Sequence, residues 1–275
     1  MNGENGLWSE MAALLIDLDG VIYEADRAVP GAAEAVRWLQ KEGIAHLFLT
    51  NTTSRPRRVL VEKLSGMDID IPEQSLLTPP IAAVRWLAGH APGPAALFVA
   101  PATVEEFGAL EVAPKHAMSV ASVVVGDYGA HWSFDELNRA FRLLMNDPAP
   151  VLVALGMTRY WRAEDGLRLD TAPFVMALAH AADMQPIVLG KPARAFFDMA
   201  LTLLNATAGE ALMVGDDIAA DVGGAQAAGI AAALVRTGKF RPEDLDGGIR
   251  PQLVLDSFGE LPQRWSEIVT ATGGG

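Results

Sequence analysis

The chain has 275 residues, of which 51% are hydrophobic and 20% charged, which is enough apolar surface for the core of one large domain or two smaller ones. Its net charge of −13 disfavours nucleic acid and anionic membranes as partners, because both are themselves negative. The chain has no cysteine, which excludes disulfides and cysteine-bound metals and fits a cytoplasmic protein. The N-terminal segment lacks the basic region of a signal peptide, and the tail from residue 271 is expected to be disordered.

Apolar runs and helical patterns alternate from the start of the chain. Residues 12–18 predict a buried strand, and the spacing of apolar residues in 31–42 predicts a helix that ends at Gly43. A second strand is predicted at 44–50 and a second helix at 57–65. This alternation indicates a parallel sheet covered by helices on both faces.

The same alternation returns near the C-terminal end. Strands are predicted there at 186–190, 211–215, 230–235 and 253–257, and helices at 194–204 and 220–228. The middle of the chain has its own predicted strands at 95–99, 121–125 and 151–155, and helices at 134–145 and 171–182. We therefore predict an α/β protein with a doubly wound, Rossmann-like parallel-sheet core (1–78 and 187–275) and an inserted α/β cap domain (79–186).

Two aspartates directly follow the first predicted strand, in Asp17-Leu18-Asp19-Gly20. Residues two apart in an extended segment point to the same side, so both carboxylates can face one ligand. Clustered carboxylates repel each other, and a hard divalent cation relieves that repulsion. The alternative interpretation is an acidic β-turn, because Asp-Gly is a common turn dipeptide. The motif alone does not decide between the two.

A second acidic segment follows the predicted strand 211–215, where Gly215 permits a tight turn before Asp216, Asp217 and Asp221. One of these aspartates is expected to cap the next helix, because the free N–H groups and the dipole of a helix N-terminus favour an acid. Capping does not account for all three.

Two further predicted strand ends carry polar side chains. Thr50 and Asn51 can bind phosphate oxygens beside a helix N-terminus, and Lys191 can neutralise a phosphate. Taken singly, these residues are better explained as a helix cap and a solvated lysine. Taken with the aspartates, they place polar groups at four strand ends predicted in one sheet, where open α/β sheets bind ligands. Phosphoryl transfer needs this set of nucleophile, proton shuttle, metal ligands and positive groups.

In order and type, these four motifs resemble those of the haloacid dehalogenase superfamily of phosphatases, and the insertion between Thr50 and Lys191 resembles the cap of its NagD-like branch. The resemblance covers nearly the whole chain. It implies a Mg²⁺-dependent phosphatase that forms an aspartyl-phosphate on its own side chain. The stretches that carry it are FLTNTTSRPR from residue 48, RYWRAEDGLRLD from 159, VGDDIAADVGGAQ from 214 and VRTGKFRPED from 235.

The resemblance also implies a role for each residue. Asp17 is implied as the nucleophile, and Asp19 as the general acid for the leaving group and then the base that activates water. The groups implied to hold the phosphoryl oxygens are Thr50, Asn51 and Lys191. The implied Mg²⁺ ligands are Asp17, Asp19 through its backbone carbonyl, and Asp216. The residues implied to support these ligands or to cap the helix are Asp217 and Asp221.

A denser cluster of arginine and aromatic residues, Arg159-Tyr160-Trp161-Arg162, lies in the predicted cap before the turn Asp165-Gly166. Its simpler interpretation is a β-hairpin with exposed arginines and packed aromatic rings. The functional alternative is a cap loop that closes over the leaving group, with Arg159 or Arg162 contacting an anion.

The sequence leaves three hypotheses of function open. The leading one is hydrolysis of a small phosphorylated compound such as pyrophosphate or a phosphoramidate. The second is a sugar- or nucleotide-monophosphate phosphatase with the same chemistry and a different cap. The third is a non-catalytic binding protein on a phosphatase fold, which the intact set of motifs disfavours. No nucleic-acid or membrane partner is expected, and a homodimer is compatible with the apolar stripe of the helix at 134–145.

Overall fold

A computed structural model describes residues 12–163 and 165–270, with the side chains of 266–270 outside the description. The expectations for the N-terminal segment before residue 12 and for the tail lie outside these residues. No helix in the described part of the chain is long and apolar enough to cross a membrane. The cytoplasmic location stays a prediction.

The secondary structure alternates along the chain as the sequence indicates. The strands are β1 (Ala13–Asp17), β2 (Tyr23–Glu24), β3 (Arg27–Ala28), β4 (Ala45–Leu49), β5 (Leu76–Leu77), β6 (Ala95–Phe98), β7 (Ser122–Val125), β8 (Val151–Ala154), β9 (Tyr160–Ala163), β10 (Gly166–Leu169), β11 (Ile187–Val188), β12 (Ala211–Gly215), β13 (Ala231–Val235) and β14 (Leu253–Leu255). The helices are α1 (Ala32–Glu42), α2 (Arg57–Ser65), α3 (Pro79–His90), α4 (Phe134–Leu144), α5 (Thr171–Ala182), α6 (Arg194–Leu204), α7 (Gly224–Ala227) and α8 (Leu261–Thr270).

The chain divides into two compact units, and the first contains the described residues of Met1–Thr50, Leu60–Leu77 and Phe197–Gly275. Its sheet has the strand order β14-β13-β12-β1-β4-β5, with parallel pairing throughout. All five residues of β1 are buried, as expected for a central strand covered on both faces. Because the strands are parallel, their carboxyl ends meet at one edge of the sheet. The predicted α/β class with a Rossmann-like parallel sheet is confirmed.

Local signals placed most elements of this sheet correctly. The helix α1 ends where predicted, at Gly43, whose φ of 66° is a left-handed conformation that glycine adopts without strain. The predicted helix at 220–228 differs. A π-helical turn at Ile218–Gly223 leads into the short α7, and the turn starts early because the Asp217 side chain accepts hydrogen bonds from the backbone N–H groups of Ala219 and Ala220.

The second unit contains the described residues of Asn51–Val59 and Thr78–Phe196. Its parallel sheet has the order β11-β8-β7-β6. Helices α4 and α5 cover it, and the apolar stripe of α4, which includes Leu137 and Phe141, packs into this core. The stripe is therefore explained by packing within the unit, and a homodimer stays a prediction.

The strand before Lys191 lies in a different sheet from the one predicted. β11 pairs with Val153 and Ala154 of β8 in the second sheet, so the prediction of four motif-bearing strand ends in one sheet is wrong for this strand. An apolar run identifies a strand but does not say which neighbour it pairs with. For the same reason the second unit continues to Phe196, beyond the predicted boundary at 186.

The predicted boundary at residue 79 coincides with the start of a helix. Pro79 and Pro80 open helix α3, which the sequence pattern did not predict. Proline is favoured in the first turn of a helix because its fixed φ suits the helix and its missing N–H would have no helical partner there.

Candidate active site

The carboxyl ends of β1 and β12 bring three aspartates together in the first unit. Asp17, Asp216 and Asp221 each offer an oxygen, and these oxygens lie within 4.8 Å of one another. The cause is the parallel register, which pairs Ile16 with Val214 and sets the two strand ends side by side. The three side chains are 6%, 1% and 1% exposed, respectively. Three buried negative charges at this separation call for a cation.

This donor set fits Mg²⁺. The ion prefers hard oxygen ligands and is commonly bound through one or two carboxylates, with waters and substrate phosphate completing its coordination. Asp17 and Asp216, two of the residues predicted to bind Mg²⁺, both belong to this cluster, and their role as ligands stays a prediction. Asp221, which was assigned a supporting or capping role, shares the cluster directly.

Glycines form the walls around the Asp216 carboxylate. Gly20 has a φ of 85° and Gly238 a φ of 65°, and a Cβ added to either would collide with an Asp216 carboxylate oxygen. A Cβ on Gly215 would likewise collide with the Asp221 carboxylate. Only glycine allows the backbone to approach the acids this closely.

The loop after β13 completes this wall, and sequence reasoning assigned it no role. Thr237 donates a hydrogen bond from Oγ1 to the Gly20 carbonyl, and the Gly238 N–H donates to the Glu24 carboxylate at 2.6 Å. The Lys239 N–H donates to Asp216 Oδ2 at 2.7 Å. The available signal was the polar Thr-Gly-Lys segment at the carboxyl end of another predicted parallel strand.

Asp217 caps the π-helical turn and forms an ion pair with Lys239, at 3.2 Å between Oδ2 and Nζ. Burial acts to raise the pKa of Asp217, but the N–H groups of Ala219 and Ala220 and the Lys239 ammonium outweigh it, so the pKa lies below its ordinary value. Burial acts to lower the pKa of Lys239, and the charges of Asp217, Asp216 and Asp17 outweigh it, so that pKa is raised. Both groups are therefore held in their charged forms beside the cluster.

The remaining residues predicted in the first unit lie at the same edge of the sheet. Asp19 is exposed on the turn that follows β1, in which the Leu18 carbonyl accepts hydrogen bonds from the next residues of the loop. Thr50 is buried after β4, and its N–H donates to the Leu77 carbonyl at 3.3 Å. Asp19 is thus open to solvent while Asp17 is buried.

Asn51 and Lys191 meet in the second unit although 140 residues separate them. The Lys191 N–H donates to Asn51 Oδ1 at 2.8 Å, and Asn51 Nδ2 donates to the Lys191 carbonyl at 2.9 Å. Gly190 permits this contact, because a Cβ there would lie 2.7 Å from the Leu155 carbonyl oxygen and 3.3 Å from Asn51 Oδ1. Two of the three residues predicted to bind phosphate, Asn51 and Lys191, are thus fixed to each other through the backbone of Lys191.

A cavity of about 400 Å³ lies in the second unit, and Asn51 is one of the residues that line it. Trp161 is the member of the arginine and aromatic cluster that lines it; Arg159 and Arg162 are not among the described residues that do so. The residues lining the cavity are Asn51, Thr52, Thr53, Ser54, Arg55, Asp127, Trp161 and Asp170.

The cluster itself is the predicted β-hairpin, formed by β9 and β10. The expectation that its aromatic rings are packed is wrong, because Tyr160 is 52% and Trp161 44% exposed. Among the described residues, β9 and β10 form a two-stranded sheet of their own, and a two-stranded hairpin buries few of its side chains.

The glycine wall gives a prediction with a matched control. Gly238→Ala and Gly43→Ala place a Cβ on nearly identical left-handed backbones, at φ 65° and 66°, but only the first meets Asp216, since nothing lies within 4 Å of a Cβ at Gly43. Gly43→Ala should lower the free energy of unfolding by about 1 kcal/mol through backbone strain alone. Gly238→Ala should lower it further, because its Cβ would also lie 2.6 Å from the Gly20 Cα. Gly238→Ala should in addition weaken Mg²⁺ binding by about tenfold or more, because the added Cβ would displace the carboxylate of Asp216, a predicted Mg²⁺ ligand. Titration calorimetry and chemical denaturation measure the two effects, and equal Mg²⁺ affinities in the two variants would contradict the prediction.

Comparison with known proteins gives two family matches, one toward each end of the chain. The family model described as Haloacid dehalogenase-like hydrolase matches residues 14–111, and the model described as HAD-hydrolase-like matches residues 188–261. Phospholysine phosphohistidine inorganic pyrophosphate phosphatase of Danio rerio is 37% identical over 250 residues, covering 89% of this chain and 90% of that protein. Haloacid dehalogenase-like hydrolase domain-containing protein 2 of Bos taurus is 38% identical over 249 residues, covering 90% and 93%.

Solved structures share the fold. The p-nitrophenyl phosphatase from Archaeoglobus fulgidus superposes with a TM-score of 0.83 at 26% identity, covering 93% of this chain and 99% of that one. NagD from E. coli K-12 superposes with a TM-score of 0.80 at 22% identity, covering 91% and 98%, and at that identity the likeness concerns the fold alone.

Proposed function

Because this chain belongs to the haloacid dehalogenase-like hydrolase family and is a phosphatase, we propose that it hydrolyses a small phosphorylated compound through an aspartyl-phosphate on Asp17, with Mg²⁺ as cofactor. The observation that carries the proposal is the buried cluster of Asp17, Asp216 and Asp221 at one edge of the sheet, with the exposed Asp19 two residues after the first of them. A charged, buried carboxylate is a suitable nucleophile, and a solvent-open carboxylate can exchange protons.

The proposed reaction has two displacements at phosphorus. A carboxylate oxygen of Asp17 forms a bond to phosphorus, the bond from phosphorus to the leaving group breaks, and Asp19 gives its proton to the leaving group. In the second step Asp19 takes a proton from water, whose oxygen attacks the same phosphorus. Inorganic phosphate departs and the Asp17 carboxylate is restored. One residue thus acts first as acid and then as base.

The other residues of the motifs bind and neutralise the transferring group in this proposal. Thr50, Asn51 and Lys191 hold the phosphoryl oxygens, and the two hydrogen bonds between Asn51 and the Lys191 backbone support their placement. Mg²⁺, when bound, offsets the negative charge of the phosphoryl group. The groups that would hold it are Asp17, the backbone carbonyl of Asp19, and Asp216, with Asp221 beside them and Asp217 bracing the loop.

The proposed substrate class follows the relatives. The Danio rerio relative is named for phospholysine, phosphohistidine and inorganic pyrophosphate, and we propose pyrophosphate or a phosphoramidate for this chain. The alternatives are a sugar or nucleotide monophosphate, or binding without catalysis. Release of inorganic phosphate, measured with Mg²⁺ over a panel of an aryl phosphate, pyrophosphate, a phosphoramidate, and sugar and nucleotide monophosphates, separates these hypotheses. No release from any member would contradict the proposal.

The arginines of the hairpin give a further expectation. If Arg159 or Arg162 contacts an anionic leaving group, replacement by Ala should lower kcat/KM for pyrophosphate by about tenfold more than for a neutral aryl phosphate, because a charge-assisted hydrogen bond is lost only from the former. The Mg²⁺ requirement should not change. Equal losses for the two substrates, or no loss, would assign these arginines to the structure of the hairpin.

A further inference from the structure

The cavity of the second unit contains an acidic pair that the proposed chemistry does not use. Asp127 follows the buried strand β7 and is half-buried, and Asp170 is half-buried at the start of α5, where it accepts a hydrogen bond from the Thr171 N–H at 2.7 Å. Burial raises the pKa of Asp127, and the Asp170 carboxylate raises it further, against the hydrogen bond from the Gly129 backbone. The two acids therefore feel each other's charge inside one cavity, and a cation bound between them would relieve that repulsion.

The other walls suit an organic cation. Trp161 lines the cavity with a partly exposed indole ring, and the guanidinium of Arg168 lies 5.9 Å from the centre of that ring. The ring therefore already attracts one cation, as an indole face does within about 6 Å of its centre, and its exposed part is available to a second. Arg55 is the basic side chain among the described residues that line the cavity. An arginine can bind a carboxylate with two parallel hydrogen bonds, so the same cavity can also receive the acid group of an amino acid.

Two ion pairs restrain the segment that forms one wall of the cavity. The segment that supplies Asn51 to Arg55 is held by two ion pairs just beyond it, Arg57 Nε to Glu106 Oε2 and Arg58 Nε to Glu105 Oε1, both at 2.8 Å. The first of these is largely buried, which makes it the more restrictive of the two. Side chains held on such a wall bind a ligand with less ordering cost than side chains of a mobile loop.

Asn51, one of the residues proposed to hold the phosphoryl group, also lines the cavity. The leaving group attached to that phosphoryl group can therefore occupy the cavity. We propose that the cavity binds the leaving group and selects one that carries a protonated amine, with Asp127 and Asp170 as its partners and Trp161 as its cover. This inference rests on the proposed function for the role of Asn51. Of the substrates proposed above, it selects those whose leaving group carries an ammonium, such as phosphorylated amino acids, over pyrophosphate, whose second phosphate the two acids repel.

A matched pair of probes tests this selection: phosphoethanolamine, which carries the ammonium, and propyl phosphate, which replaces it by a methyl group. Titration calorimetry in the presence of Mg²⁺ with the full chain carrying Asp17→Asn compares their affinities without turnover. Phosphoethanolamine should bind about tenfold more tightly, as expected for one hydrogen bond to a charged group. Adding Asp127→Asn should remove most of that ratio, whereas adding Asp135→Asn, which changes an exposed acid outside the cavity, should preserve it.

Trp161→Leu is the second variant, and it changes no charge. It should reduce the ratio of the two affinities by a few-fold, because it removes the indole face that attracts the ammonium. The protein should stay folded, since Trp161 is an exposed residue of the hairpin and not part of the core. Equal affinities of the two probes, or an Asp127→Asn effect that is equal for both, would overturn the inference. The proposed function fails separately, by the absence of phosphate release from the wild-type chain over the substrate panel, and the calorimetric ratio is measurable in either case.

Discussion

Asp17→Asn is expected to reduce kcat for an aryl phosphate by at least about a thousandfold while the protein stays folded. The amide keeps the shape of the carboxylate but lacks the charge that attacks phosphorus. The substitution also removes one of three buried negative charges that lie within 4.8 Å, so the free energy of unfolding without Mg²⁺ should not decrease. Phosphate release and chemical denaturation measure the two effects, with Asp135→Asn as the control for loss of one acid at an exposed position.

The covalent intermediate can be sought directly. Acid quenching of the wild-type chain during turnover, followed by mass spectrometry of its peptides, should reveal a phosphoryl group on the peptide that contains Asp17. The Asp17→Asn chain should not acquire it. Near-normal turnover in Asp17→Asn, or a phosphoryl group on another side chain of the active wild-type enzyme, would rule out Asp17 as the nucleophile.

Removal of divalent metal is expected to abolish activity, and Mg²⁺ to restore it. The three buried carboxylates that include Asp17 and Asp216 repel both one another and an incoming phosphate in the absence of a cation. Ca²⁺ should restore activity poorly, because its larger and looser coordination would displace the nucleophile. Phosphate release after dialysis against EDTA, with each ion added back, provides the measurement.

A binding measurement separates the metal from the chemistry. Asp216→Asn should weaken Mg²⁺ binding, followed by titration calorimetry, by about tenfold or more, because it removes a ligand charge from the cluster. Asp135→Asn should bind Mg²⁺ as the wild type does. Full activity after exhaustive chelation, or unchanged Mg²⁺ affinity in Asp216→Asn, would argue against a metal at this cluster.

The sequence by itself determined the kind of chemistry and most of the longer elements, although α3 and α8 were not predicted. Apolar runs mark strands because buried strands of a parallel sheet need apolar side chains on both faces, and the polar residues directly after β1, β4 and β12 stood out against them. The order and type of those motifs also carried the family resemblance, which the comparisons confirm. Each of these signals is local, since it lies within one strand and the turn that follows it.

The tertiary structure alone decided which of these segments meet. The pairing of β11 with β8, the pair formed by Asn51 and Lys191 over 140 residues, and the approach of the loop at Gly238 to Asp216 depend on contacts between distant segments. Asp127 carries no functional signal in the sequence, because a single acid after a strand has an ordinary explanation as a turn residue. It becomes a candidate ligand only where folding places it in one cavity with Asp170 and Trp161. Local periodicity reports burial and the type of element, whereas partner, register and the walls of a cavity are set by how distant elements pack.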